Sequence, residues 1–293
     1  MAPPRRLRIA HLFPDLLRFY GDGGNVGTLT RRATARSIEV EVLPVPVGTE
    51  RLPTADLIFV GGGQDREQVT VAHELERLGP QVRDQVADGA ALLGVCGGYQ
   101  NLGISYRTSL GAELPCPGLL PVTTDGSVGG RRLVGSVLAE VDAALFADAA
   151  GTPASARALD RTVIGFENHA GRTVLEPGAR LFARIEIGHG NNDRDGGEGV
   201  LLLPGEGGSG GLRIGTYLHG PLLPRNPHIA DALIAAAVAR GGVSPVLAPL
   251  DDDLDWMAHD AACARLRRSV RAEDRWPAWA HRVVDPIRSL IGY

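Results

Sequence analysis

The chain has 293 residues, 44% of them hydrophobic, and a formal net charge of −4. That length builds one large domain or two small ones around a sizeable core, and the mildly acidic balance gives no electrostatic reason to expect nucleic acid as a partner. Three widely spaced cysteines, Cys96, Cys116 and Cys263, form neither a disulfide framework nor a metal motif, so no metal is expected.

Residues 7–13 are too short and too polar for a signal segment, and no stretch approaches the roughly 20 apolar residues of a membrane span. A cytoplasmic location is therefore expected. The sequence contains no lysine; every basic side chain is arginine. A Walker A loop needs its lysine on the nucleotide phosphates, so ATP chemistry, if the reaction uses it, is expected on another polypeptide.

In chain order, residues 7–13 read as a first strand, followed by the turn Gly21-Asp22-Gly23-Gly24 and a helix over 25–36. Residues 38–43 alternate apolar and acidic side chains, as a half-exposed strand does. The apolar run 56–60 ends in Gly61-Gly62-Gly63, which suits a buried parallel strand entering a loop. Two helices are expected over 67–78 and 80–88, the second opened by Pro80. The run 90–95 is the next strand. Strands alternating with helices in this way argue for a parallel, doubly wound α/β sheet, whose sites lie at the strands' carboxyl ends.

Beyond Tyr106 the pattern is more β-like, with strands expected over 132–141, 161–166, 179–187 and 211–218. Residues 143–158 and 190–211 read as surface loops. Asn226-Pro227 supplies an N-cap and first-turn proline for a helix through Arg240, closed by Gly241. The tail from Asp251 opens with acids, runs as a helix to about Arg271, and ends rich in tryptophan and arginine. Trp256, Trp276 and Trp279 are expected to close the core, with anchoring of a partner as the alternative, and Pro286 weakens any membrane-surface helix there.

Chemistry concentrates at Gly94-Val95-Cys96-Gly97-Gly98-Tyr99. Small residues on both sides of a cysteine, at the end of an apolar strand, are what a nucleophile elbow requires. The free N–H groups of the following helix favour thiolate and can hold an oxyanion. A cysteine nucleophile needs a histidine base. His219 is the best placed, because Arg213 to Leu218 reads as a strand ending on it and Gly220-Pro221 stops the strand. His169 and His189 fall in polar loops and are weaker candidates.

These blocks, together with Leu17 to Asn25, Gly61 to Gln68, Gly165 to Thr173, Gly188 to Asn192 and Gly215 to Pro224, resemble class I glutamine amidotransferases of the cobyric-acid-synthase-like branch. The resemblance spans about residues 7–239. It implies an amidotransferase-like doubly wound sheet over 1–245, central strands parallel, with an accessory C-terminal helical segment, 246–293, packed on it.

It also implies glutamine hydrolysis. Cys96 would attack the side-chain amide of glutamine, His219 would shuttle the proton, and Gly97 with the Gly61-Gly62-Gly63 loop would hold the oxyanion. Arg132 aligns with the arginine that takes glutamine's α-carboxylate, a role suited to its planar fork. Gln100 follows the elbow and is a second substrate-binding candidate.

The wider class carries a glutamate two positions after the histidine, where this chain has Pro221. Asp22 matches an aspartate that is functionally required in one type of glutaminase subunit within the branch. Its role stays open between orienting His219, acting at a partner interface or on ammonia delivery, and capping a turn. The resemblance further implies a heterodimer: a glutaminase half needing no cofactor of its own, and a Mur-ligase-like partner that binds ATP and Mg and receives the ammonia. The alternatives are a glutaminase for cobyrinic or cobyric acid amidation, a non-catalytic scaffold subunit, and a cysteine peptidase of related fold.

Overall fold

A computed structural model describes residues 6–17, 22–63, 65–128, 130–146, 157, 160–206, 210–240 and 246–273. The first half alternates strand and helix: β1 (Arg6–Leu12), α1 (Gly23–Thr34), β2 (Glu39–Val45), β3 (Leu57–Val60), α2 (Asp65–Ala87), β4 (Ala91–Val95) and α3 (Gly97–Asn101). The second half is mostly strand: β5 (Ser105–Arg107), β6 (Glu113–Leu114), β7 (Val122–Asp125), β8 (Leu133–Val141), β9 (Thr162–His169), β10 (Arg172–Leu175), β11 (Ala183–Ile187), β12 (Gly197–Glu198), β13 (Val200–Leu202) and β14 (Arg213–Thr216). Three helices follow: α4 (Leu222–Arg225), α5 (Pro227–Val238) and α6 (Asp253–Glu273).

The main sheet has the order β13-β14-β4-β3-β1-β2. All its pairings are parallel except β13 with β14. The expected doubly wound sheet with parallel central strands is thus the observed one. β3 and β4 are buried at every residue, as strands covered on both faces must be. β2 lies at the edge, with only Val45 fully buried. The strand order switches sides between β1 and β3, so the carboxyl end of β3 borders the crevice where such sheets bind ligands, and those of β4 and β14 lie next to it along the same edge.

α2 corrects the expectation of two helices. It is continuous, with Pro80 inside it. Val71, Leu75, Leu78, Val82 and Val86 form one buried stripe at helical spacing across the proline. Packing of that stripe on the sheet outweighs the hydrogen bond that Pro80 cannot donate.

Two smaller sheets complete the fold: β10-β7-β5-β6, and the antiparallel β12-β11-β8-β9. The glycine-rich stretch 190–211, read from sequence as a surface loop, contains β12 and β13. These belong to different sheets, and Gly199 joins them at φ +62; a Cβ there would lie 2.4 Å from the Gly215 carbonyl oxygen. Asn226 precedes α5 without capping it by its side chain. Its carboxamide instead pairs with the backbone of Ile164 on β9.

α6 packs against α4, β8 and β9. Trp256 is buried beside the rings of His228 and His259, each at 5.3 Å. Arg32 of α1, 1% exposed, binds Asp231 through two nitrogens at 2.7 Å and Asp252 at 2.8 Å, joining α1, α5 and the approach to α6. Trp276, Trp279, Pro286 and the helix-closing Gly241 lie outside the described residues. Among the described residues no helix is long and apolar enough to cross a membrane.

Candidate active site

The turn between β4 and α3 places Cys96 at φ 51°, ψ −107°, a conformation that costs a non-glycine residue about 1–3 kcal/mol. Its neighbours explain how it is held. A Cβ on Gly94 would lie 2.7 Å from the Leu102 side chain, and one on Gly98 would lie 2.3 Å from the Val60 carbonyl oxygen. Only glycines let β3, β4 and α3 close together here. The Cys96 amide donates to Thr216 (2.8 Å) and the Gly98 amide to Gly61 (3.0 Å), pinning the elbow to both flanking strand ends.

The loop after β3 is held from beneath. The Gly62 amide donates to the Asp22 carboxylate oxygen Oδ2 at 2.6 Å. This corrects the reading of Gly62 as an oxyanion donor, since its N–H is already taken. The Gly63 nitrogen lies 3.2 Å from where a Cβ on Gly97 would sit. The N–H groups of Gly63 and Gly97 make no other hydrogen bond among the described residues. Gln68 donates to the Gly63 carbonyl at 3.4 Å and packs beside Gly97, holding the two backbones together.

Asp22 is fully buried, and burial pushes its carboxyl up to about 7 despite the Gly62 N–H. It stands at the N-cap of α1 without a side-chain cap bond, so turn capping is not its side chain's role. A carboxyl that reaches the glycine loop from 40 residues away leaves no local sequence signal.

His219 is also fully buried. β14 ends at Thr216, short of the expected strand, and β9 holds the histidine instead. Phe166 and His219 exchange backbone hydrogen bonds at 3.0 and 2.9 Å, and their rings meet edge to face at 5.5 Å. Burial, with the nearby His169 and Arg132, lowers the imidazole to about 4. It is therefore neutral at neutral pH, the form a base requires.

One pocket is walled by Cys96, Gly62, Gly63, Gln100 and Arg132, with Asn168 and His169 beside them. Arg132 precedes β8 and is fixed by Asn168, donating to its side-chain oxygen at 2.9 Å and its carbonyl at 3.0 Å. Among the described residues it has no carboxylate partner, whereas neighbouring Arg131 pairs with Asp193 at 3.3 Å. Arg132 is thus an unneutralised guanidinium at the pocket. Gln100 donates to the Tyr217 hydroxyl at 3.2 Å, at the end of a chain of hydroxyls through Thr173 and Thr124.

His169, a weaker base candidate in the sequence, is a wall residue of the pocket. It ends β9 rather than lying in a polar loop, stacks on the Tyr217 ring with centroids 3.4 Å apart, and donates from Nδ1 to the Gly171 carbonyl at 2.8 Å. The alternation Phe166, Glu167, Asn168, His169, with Glu167 and His169 inward, was the available signal.

Comparison with known proteins agrees with this geometry. The chain is 34% identical, over 91% of its length and 98% of the relative's, to the lipid II isoglutaminyl synthase (glutamine-hydrolyzing) subunit GatD of Staphylococcus aureus. Against the subunit of the same name from Streptococcus pneumoniae it is 29% identical over 86% of this chain and 88% of that one. A cobyric acid synthase from Sphingopyxis alaskensis is 32% identical over 76% of this chain, which spans only 40% of that longer protein. Residues 8–227 match the model of the CobB/CobQ-like glutamine amidotransferase domain, and the chain belongs to that family.

Proposed function

We propose that this chain is the glutaminase subunit of a two-subunit, cytoplasmic enzyme that amidates the α-carboxyl of D-glutamate in the lipid II stem peptide. The observation that carries this is similarity to GatD subunits along nearly their whole length, joined to a cysteine in the strained elbow of a family amidotransferase domain. Residues 1–245 would form that domain and 246–293 its accessory segment.

In this reading the Cys96 sulfur attacks the side-chain amide carbon of L-glutamine while His219 takes the thiol proton. The oxyanion of the tetrahedral intermediate is held by the N–H groups of Gly63 and Gly97. His219 returns the proton to the leaving nitrogen, ammonia departs, and a thioester remains. Water, deprotonated by His219, then releases glutamate. Arg132 takes the α-carboxylate, Gln100 offers its carboxamide to the substrate, and Asp22 keeps the glycine loop in place. The ammonia passes to a Mur-ligase-like subunit of the MurT type, which binds ATP and Mg.

A cobyric or cobyrinic acid amidation role has less support, because relatives of that name match 76% and 58% of this chain where the GatD subunits match 91% and 86%. The test is glutamate release from glutamine by the purified chain, alone and with a co-expressed Mur-ligase-like partner. Release that Cys96→Ala abolishes and the partner stimulates is expected. Absence of release in both preparations would overturn the glutaminase role, and equal partner binding by Cys96→Ala would then point to a scaffold.

A further inference from the structure

Pro221 occupies the position two residues past His219, and it packs on α1: a Cβ on Gly24 would lie 2.8 Å from Pro221 Cγ. No carboxyl orients the imidazole from that position. A different carboxyl reaches the same strand end. Glu198, fully buried on β12, accepts the Thr216 hydroxyl at 2.6 Å and the Tyr217 amide at 2.8 Å, both on Oε1. Its Oε2 has no hydrogen-bond partner among the described residues.

Thr216 ties both halves of the catalytic pair. Its carbonyl accepts the Cys96 amide at 2.8 Å, and its hydroxyl accepts the Leu218 amide at 3.0 Å, one residue before His219. A hydroxyl has a single proton. Here it goes to Glu198, which leaves the lone pairs facing Leu218. Without Glu198 the hydroxyl is free to turn away, and the corner Thr216-Tyr217-Leu218-His219 loses two of the bonds that set its shape.

We propose that Glu198 is the positioning residue of the Cys96–His219 pair, acting through Thr216 and the strand-end backbone rather than through the imidazole. Burying a carboxyl with one oxygen unpaired is costly, and Glu167 lies near enough to raise that cost. Burial pushes the Glu198 carboxyl up to about 8, so at neutral pH it is the uncharged acid. Glutamine is its close mimic.

This inference rests on the glutaminase reading, so the experiment has two readouts. The full chain with its partner is assayed for glutamine hydrolysis as wild type, Thr216→Val, Glu198→Leu and Glu198→Gln. Thr216→Val keeps the shape and the carbonyl bonded to Cys96, and it carries the test should Glu198→Leu not fold. For Thr216→Val and Glu198→Leu, kcat per folded molecule is expected to fall roughly 10- to 100-fold with KM changed by less than about twofold. Glu198→Gln is expected to restore kcat to within about threefold of wild type. In parallel, the rate of Cys96 alkylation by iodoacetamide, which needs no substrate, should fall in the same two variants and recover in Glu198→Gln. A wild type that hydrolyses nothing overturns the functional reading alone, because the alkylation series still decides the positioning role. Equal alkylation rates in all four chains, or unchanged kcat in Thr216→Val, overturn the positioning role.

Discussion

Cys96, Asp22 and His219 are each held in a state that costs free energy, and each predicts something measurable. Asp22 accepts the amide that sets the glycine loop. Asp22→Ala should lower kcat/KM for glutamine by about 100-fold, the usual loss when an oxyanion donor is displaced, while Asp22→Asn keeps an acceptor and should lose less. Steady-state kinetics of both variants decide this, and equal losses would show that the charge matters rather than the hydrogen bond.

Because burial lowers His219 to about 4, the acid limb of kcat/KM should fall below the ordinary histidine range. A pH–rate profile with its limb near 6.5 would show a solvated imidazole. At this scale the cysteine was legible in sequence, because the glycines at 94 and 98 are a local requirement of the turn. The engagement of the Gly62 amide was not, because it depends on a carboxyl that folding brings in from the start of α1.

Elements carry the next set of consequences. Pro80 is exposed in the interior of α2, where it withholds a backbone hydrogen bond. Pro80→Ala should therefore stabilise the chain by about 1–3 kcal/mol, read as a higher midpoint in urea. Arg32 is the opposite case. Its guanidinium is buried among Asp231, Asp252 and Asp255, and removing it takes the cation from Asp252 while, among the described residues, Asp231 keeps only Arg36 and Asp255 only Arg31. Arg32→Met should destabilise by about 3 kcal/mol and loosen α6 first, visible as faster hydrogen exchange over residues 253–273. The strands of the parallel sheet were legible because each is a bounded apolar run. β12 and β13 were not: they have two and three residues, too few for alternation to register, and they lie in a stretch whose glycines read as loop.

The whole molecule adds these titrations together. Glu198, raised to about 8, and Asp22, raised to about 7, hold protons that the unfolded chain has already lost. They therefore withdraw stability as pH rises from the carboxylate range towards 7 and 8. His219 and His228, lowered to about 4 and about 3, work the other way, since the unfolded chain protonates first as pH falls below 6.5. Above about 6.5 only the acids contribute, so stability should decline towards pH 8 by roughly 1–2 kcal/mol for Glu198. Urea unfolding at several pH values should show that decline in wild type and a smaller one in Glu198→Gln. The fold class was readable from the chain's rhythm of strand and helix. The support of the site was not, because β9, β12 and α1 reach it from three distant parts of the sequence.

Among the described residues, the pocket wall carries a guanidinium and no carboxylate. That sign asymmetry shapes the fate of both products in the proposed reaction. Glutamate leaves with one more negative charge than glutamine brought in, so the wall's field slows its exit and favours inhibition by accumulated glutamate. Ammonia meets no anion that would stabilise it as ammonium. In that proposal the wall favours the uncharged form, the only one with a lone pair to offer the partner's substrate.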